Sequence, residues 1–183
     1  NSWQQTNDGS LSGMCSSFGW YFGQVRVDPN NENNVFVMGV YAYKTTNGGS
    51  SWSETGYSMH VDHHAMYIDE NTGLIIEGND GGLYKSTNGS NWNKINNIPL
   101  TQFYYITFDF THPDRIYGGT QDNNTIRTMT GNVDDWEAIL GGDGMYCLVD
   151  YENNNNVFAE MQNGSLFKSE DGGYDFDYIA GPM

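Results

Sequence analysis

Positive charge is scarce in this chain of 183 residues: seven lysines and arginines stand against 23 aspartates and glutamates, a formal net charge of −16 at pH 7. Phosphate and anionic lipid headgroups are held by basic clusters, so nucleic acid and acidic membrane surfaces are excluded as partners. No apolar run reaches the 18 or more residues of a membrane-spanning helix, so no transmembrane segment is expected. No signal peptide is visible, and the chain begins at Asn1. It is therefore expected to be a processed or internal piece of a longer protein. With only two cysteines there is no disulfide framework. Cys147 lies in the strand-like run "MYCLVD" and is expected to be a buried free thiol, whereas Cys15 is either free or paired to a segment that is missing. Helical periodicity is absent too. What the chain does have is aromatics at 15%, 23 glycines and much asparagine, a composition suited to short strands and tight turns.

The strands repeat. "QVRVDPNNENNVFVMGV", "AMYIDENTGLIIEGND", "YITFDFTHPDRIYGGTQD" and "YCLVDYENNNNVFAEMQN" align on Asp28, Asp69, Asp109 and Asp150, at steps of 41, 40 and 41 residues. Each unit reads as four strands, A to D. Strand A is apolar and ends at the aspartate, and strand D opens at Trp52, Trp92, Trp136 or Phe176. Four short strands in about 40 residues are the mark of a β-propeller blade. The fold class is therefore all-β. Blades are expected at roughly 20–57, 60–97, 101–140 and 143–180 of one propeller segment. "NSWQQT" (1–6) reads as the trailing strand D of an earlier blade, with Trp3 in the aromatic place. Five D strands for four sets of A to C imply a fragment of a larger propeller, of six or more blades.

A second motif sits between strands C and D. "TTNGGSSW" (Thr45, Asn47, Gly49, Trp52) and "SEDGGYDF" (Ser169, Asp171, Gly173, Phe176) share the form Ser/Thr-x-Asp/Asn-x-Gly-x-x-aromatic. "STNGSNW" (Ser86, Asn88, Trp92) is one residue shorter, and "TMTGNVDDW" is degenerate. The Asp or Asn can bond amides of its own turn and the glycine tolerates positive φ, so these residues are read as structural.

Alternating strand direction puts the A–B and C–D turns at one end of each blade, and the B–C loops and D–A links at the other. The second end gathers His60, Asp62, His63, His64, Asn79, Asp80, Gln102, Gln121, Asp122, Asn123, Asp143, Gln162 and Asn163. This is the expected ligand-binding rim, with Tyr41, Tyr57, Phe103 and Tyr104 at or near it. On an extended strand His60, Asp62 and His64 project to one side and His63 to the other. The three form a weak candidate set for zinc or another transition metal, against a hydrogen-bonded cluster that orients Asp62. His112, in "THPD", belongs to the opposite end as a turn residue.

"HVDHHA" (60–65), "GNDGG" (78–82), "GGTQDN" (118–123), "GGDG" (141–144) and the turn motif carry a resemblance. The chain resembles the BNR or Asp-box propellers of the sortilin-like and xyloglucanase-like superfamily, above all the large secreted bacterial members labelled glycosyl hydrolase. The resemblance covers nearly the whole chain. It implies a secreted or cell-surface protein. Many bacterial members use type IX secretion, through a C-terminal sorting domain that these residues do not contain.

Two functions follow as expectations. One is binding of a polysaccharide or surface protein at the rim, where planar amides and aromatics suit sugar hydroxyls, with the remainder of the propeller as a further partner. The other is glycoside hydrolysis, which needs two carboxylates; the candidates are Asp62, Asp80, Asp122 and Asp143, with a histidine tuning Asp62. In xyloglucanase-like enzymes the acids lie in a cleft between two propellers, so a partner carboxylate can be missing here. The sequence leaves open whether the chain is an enzyme. A sialidase would need several arginines at one rim, and only Arg26, Arg115 and Arg127 exist. No cofactor is expected, although "GNDGG" and "GGDG" make calcium a weak alternative. Asn88, Asn123 and Asn163 stand in N-x-S/T contexts, where glycosylation depends on the host.

Overall fold

The structure, a computed structural model, describes residues 2, 4, 5, 9–96 and 98–181. The strand expected over residues 1–6, with Trp3, lies outside the described residues at its key positions. Among the described residues, sixteen strands form four four-stranded antiparallel sheets, each a meander in chain order. The first holds β1 (Gln24–Asp28), β2 (Asn31–Met38), β3 (Ala42–Thr45) and β4 (Ser53–Thr55). The second holds β5 (His63–Ile68), β6 (Ile75–Asn79), β7 (Gly82–Ser86) and β8 (Asn93–Lys94). The third holds β9 (Phe103–Asp109), β10 (His112–Thr120), β11 (Thr125–Thr128) and β12 (Glu137–Leu140). The fourth holds β13 (Gly144–Val149), β14 (Val157–Met161), β15 (Ser165–Ser169) and β16 (Asp177–Ala180). There is no α-helix among the described residues, and none of the described segments is a helix long and apolar enough to cross a membrane. The sheets are β-propeller blades.

Each strand A ends where its aspartate folds the chain back. Asp28 accepts from the Asn30 amide at 2.9 Å, Asp69 from Asn71 and Thr72 at 3.0 and 2.7 Å, Asp109 from Thr111 and His112 at 2.8 and 3.2 Å, and Asp150 from Glu152 and Asn153 at 2.9 and 3.3 Å. A carboxylate that captures amides two and three residues on replaces the ladder with a turn.

At the C–D turns the hydroxyl does the capturing. Thr45 Oγ1 accepts from the Gly49 amide at 3.1 Å, and Ser169 Oγ from Gly173 at 2.8 Å; Ser86 Oγ in the shorter turn accepts from Gly89 at 2.8 Å. Asn47, Asn88 and Asp171 then take the next amides along. The degenerate third turn keeps the same design by another route. Thr128 accepts from Gly131 at 2.9 Å, and Asp135, seven residues beyond Thr128, supplies the carboxylate to Thr128 and Thr130.

Packing of the Cα trace divides the chain into two compact units, Asn1–Ile98 and Pro99–Met183. In the first, Phe36, Met38 and Ala42 of one sheet meet Met66, Ile75, Tyr84 and Trp92 of the next, with Met59 and Ile68. In the second, Tyr117, Ile139 and Leu140 meet Cys147, Val149, Val157, Ala159 and Phe176. The basic residue just before the turn hydroxyl ties sheet to sheet in both: Lys44 Nζ donates to Asn88 O at 2.5 Å, and Arg127 Nη1 to Gly172 O at 2.6 Å. Both cysteines are free. Cys147 is fully buried, and burial pushes its thiol up to about 12.

Candidate functional site

The sequence places its rim residues on both units, and the structure handles the two sets differently. In the first unit the segment 56–62 enters β5 beside the loop 79–82 that joins β6 to β7. Asp62 has φ 66°, so the extended alternation expected through His60–His64 begins only at His63. An extended strand therefore does not set the directions of His60 and Asp62. His60 turns onto its own neighbour, with Nδ1 3.0 Å from Val61 O, and its side chain packs over Gly81, where an added Cβ would lie 2.4 Å from His60 Cβ. Among the described residues no group of three or more His, Cys, Asp or Glu side chains is placed to hold a metal ion. His60, Asp62 and His64 are not such a set.

The backbone of the link is pinned: the amides of Asp62 and His63 donate to Val40 O and Gly39 O at 3.0 and 2.9 Å. His63 then points inward. It is 3% exposed and its Nδ1 lies 2.6 Å from Glu77 Oε1, the carboxylate itself being fully buried. Asn79 Nδ2 donates to Glu77 Oε2 at 3.0 Å, and Asn79 Oδ1 accepts from the Gly81 amide at 3.0 Å. His63 and Asn79, expected at a ligand-binding rim, are thus interior posts under it. Glu77 was not among the expected residues. The signal available was a charged residue at an inward position of "GLIIEGND", where Ile75, Glu77 and Asn79 alternate onto the buried side.

His64, one residue on, faces the other way. Its Nε2 lies 2.6 Å from Asp80 Oδ1, with side chains 38% and 25% exposed. Gln24 Nε2 donates to His64 O. The rings of Tyr21 and Phe22 lie 5.8 and 5.3 Å from the imidazole. Asp62 sits half-buried nearby. Burial first, and then the Asp80 charge, push its carboxyl above the ordinary range, while His60, His64 and His63 pull the other way. A protonatable carboxyl, a second carboxylate and an imidazole therefore share one exposed spot. Together they can offer acceptors, hold a proton, or pair with a cation.

In the second unit the rim residues mainly hold one another. The Asp122 amide donates to Asp143 Oδ1 at 2.7 Å, and the Asp143 amide to Gln162 Oε1 at 2.8 Å. Gln121 N donates to Gln102 O at 2.9 Å, and Asn123 Nδ2 to Gln121 O at 2.9 Å. Asp122, Asn124 and Asn163 adopt φ of 58°, 75° and 65°. The glycines of "GGTQDN" and "GGDG" allow backbones to touch: a Cβ on Gly119 would lie 1.9 Å from Met145 O. Arg115 and Arg127 also lie in this unit, at Asp109 (3.5 Å) and Glu137 (2.8 Å).

No protein-family profile matches the chain, and no curated protein matches it. Solved structures do. An ancestral GH74 enzyme is 24% identical, with 87% of this chain and 24% of that one covered and a TM-score of 0.39. A GH74 enzyme from Niastella koreensis is 18% identical over 84% and 37% of the two chains, with a TM-score of 0.36. YCF48 bound to D1 peptide is 14% identical over 84% and 51%, with a TM-score of 0.33. The chain thus spans about a quarter of the first enzyme's length and about half of YCF48.

Proposed function

We propose that this chain is a segment of an exported Asp-box propeller of the sortilin-like type, and that it binds a polysaccharide or surface-protein ligand at the rim of its first unit. The observation that carries the reading is the pairing of His64 with Asp80 beside half-buried Asp62, at a place where aromatic rings are exposed. The corresponding acids of the second unit support it by contrast, since Asp143 accepts from Asp122. The C–D turn geometry and the 40-residue period support the Asp-box assignment and a single propeller segment of six or more blades, with the remainder of the ring as a partner. A secreted or cell-surface location is part of this proposal, as is type IX secretion. Neither metal nor cofactor is required by it, and the weak calcium alternative predicts a melting point that falls in EDTA.

Glycoside hydrolysis is the second reading, and the raised proton affinity of Asp62 favours it. A carboxyl whose surroundings raise its proton affinity is suited to the acid role, with a second carboxylate beside it. Asp62 would protonate the leaving oxygen and Asp80 would act as base or nucleophile. The test is to incubate the full-length protein with a panel of glycans and to measure new reducing ends and retention on affinity gels, with Asp62→Asn and Asp80→Asn in parallel. Retention that both variants lose, with no new ends, is the expected result. Ends that appear and vanish in the variants would make it a glycosidase. Neither retention nor cleavage for any glycan or protein would sink both readings.

A further inference from the structure

An aromatic patch adjoins the acid group of the first unit. Trp20 is 81% exposed and Tyr21 62%, with Phe18 also exposed. Large aromatics left in water in one place mark an interaction surface. Their arrangement narrows what it takes. Trp20 and Tyr21 are tilted at 51° with centroids 5.6 Å apart, Tyr21 and Phe22 at 76° and 5.0 Å, and Tyr21 and His64 at 76° and 5.8 Å. A pyranose stacks best on a broad, flat platform, and these rings share no plane. Rings packed at steep angles turn their electron-rich faces in different directions, and such a face beside a carboxylate suits a compact cation.

The charge around the spot agrees. His64 is common to both groups, with its ring against Tyr21 and Phe22 and its Nε2 2.6 Å from Asp80. Asp62 is close enough for the Asp80 charge to act on it. The chain as a whole carries −16, so a positive partner is drawn in from a distance. Elsewhere the protein already makes such contacts within itself: the Arg127 guanidinium lies 4.1 Å from the Tyr174 ring centre, and Lys44 Nζ 5.5 Å from that of Phe36.

We propose that Trp20, Tyr21 and Phe22, together with His64, Asp80 and Asp62, form a cage for the cationic head of a lysine or arginine on a partner protein. This deepens the rim-binding reading and rests on it: it chooses protein over polysaccharide and names the group that is gripped. A cation there replaces lost hydration with ring faces on one side and carboxylate on the other.

The test uses the full chain and a short lysine- and arginine-rich peptide, followed by calorimetry, against the same peptide with its lysines acetylated and arginines replaced by glutamine. Trp20→Ala and Asp80→Asn are the probing variants, because neither removes a core side chain, and Glu152→Gln controls for general loss of negative charge. The cationic peptide should bind, weaken as salt rises, and lose roughly three- to tenfold in affinity in each probing variant, with little change in Glu152→Gln. Equal binding of the neutral peptide would overturn the cage, as would a loss in Glu152→Gln equal to that in Asp80→Asn. A neutral or amino-sugar oligosaccharide that binds and depends on Asp62 and Asp80, with no peptide binding, would overturn the cage but keep the rim. Silence from peptides and glycans alike would remove both.

Discussion

Two aspartates show how burial alone does not decide a carboxylate's behaviour. Asp109 is almost completely buried, and burial pushes its carboxyl up, but hydrogen bonds from Thr111, Asn154 and His112 outweigh that and hold it at about 2. Asp62 is less buried yet displaced upward, by burial and then by Asp80. The two therefore bend the stability curve in opposite directions. A carboxyl that ionises more easily when folded adds stability that is complete above its unfolded value and is lost as pH falls towards the folded one. For Asp109 that window runs from 3.8 down to about 2, and the contribution is about 2 kcal/mol. For Asp62 the folded chain holds the proton more tightly, so ionisation costs stability as pH rises through the raised value. Urea unfolding at several pH values should show Asp109→Asn less stable than the parent at neutral pH, with the gap closing in acid. Asp62→Asn should be more stable at neutral pH, and its advantage should also vanish in acid. An Asp62→Asn protein that is less stable at neutral pH would mean that the ionised carboxylate is welcomed by partners stronger than its surroundings supply. A residue that costs stability where it stands fits a site kept for a ligand.

Among the elements, the C–D turns carry the sharpest comparison. The third turn lacks an acid at the third position of the motif, where Thr130 stands, and recovers one from Asp135. Thr128→Val and Ser169→Ala should each cost about 1–3 kcal/mol, because each leaves buried turn amides without an acceptor. Asp135→Ala should lower the unfolding midpoint, and Asp134→Ala, at an exposed neighbour, should leave it unchanged. Midpoints from thermal scans decide this, and an equal drop in the two would refute the substitution of roles. The period, the four strands of each repeat and the turn chemistry were legible in the sequence because each rests on local spacing: an aspartate captures amides two and three residues on, whatever packs around it. Asp135 was not legible, because a longer loop brings it back to the hydroxyl. Nor was the fate of His63. Reading His60–His64 as extended set His63 opposite His64, as they stand, but the positive φ at Asp62 resets the alternation just before the strand, so it did not carry back to His60 and Asp62. The carboxylate that receives His63 is 14 residues away on the next strand, and only the register of β5 with β6 reveals it. The same holds for Tyr21 and Phe22, whose approach to His64 depends on how a link preceding β1 lies against the next sheet.

Across the whole molecule the dominant electrostatic fact is the −16 charge on 183 residues. Seven basic side chains cannot neutralise it, and some of them are committed locally: Arg127 is buried against Glu137, Lys44 caps a turn carbonyl, and Lys168 lies 2.5 Å from exposed Glu170. Folding crowds the unpaired acids together, so their repulsion opposes the compact state. Salt shortens the reach of that repulsion to about 10 Å at 0.1 M. It also weakens the exposed ion pairs, but each of these contributes little, at most about 1 kcal/mol. Repulsion should win the comparison, so the melting temperature should rise as sodium chloride is raised from low to physiological strength. The same salt should loosen a cationic peptide held at Tyr21 and Asp80, because there the charges attract. Measured side by side, a rising melting temperature and a falling peptide affinity would come from one charge distribution seen from inside and from outside. A melting temperature that fell with salt would instead place most of the acids in favourable pairs, and would remove the long-range attraction on which capture of a basic partner depends.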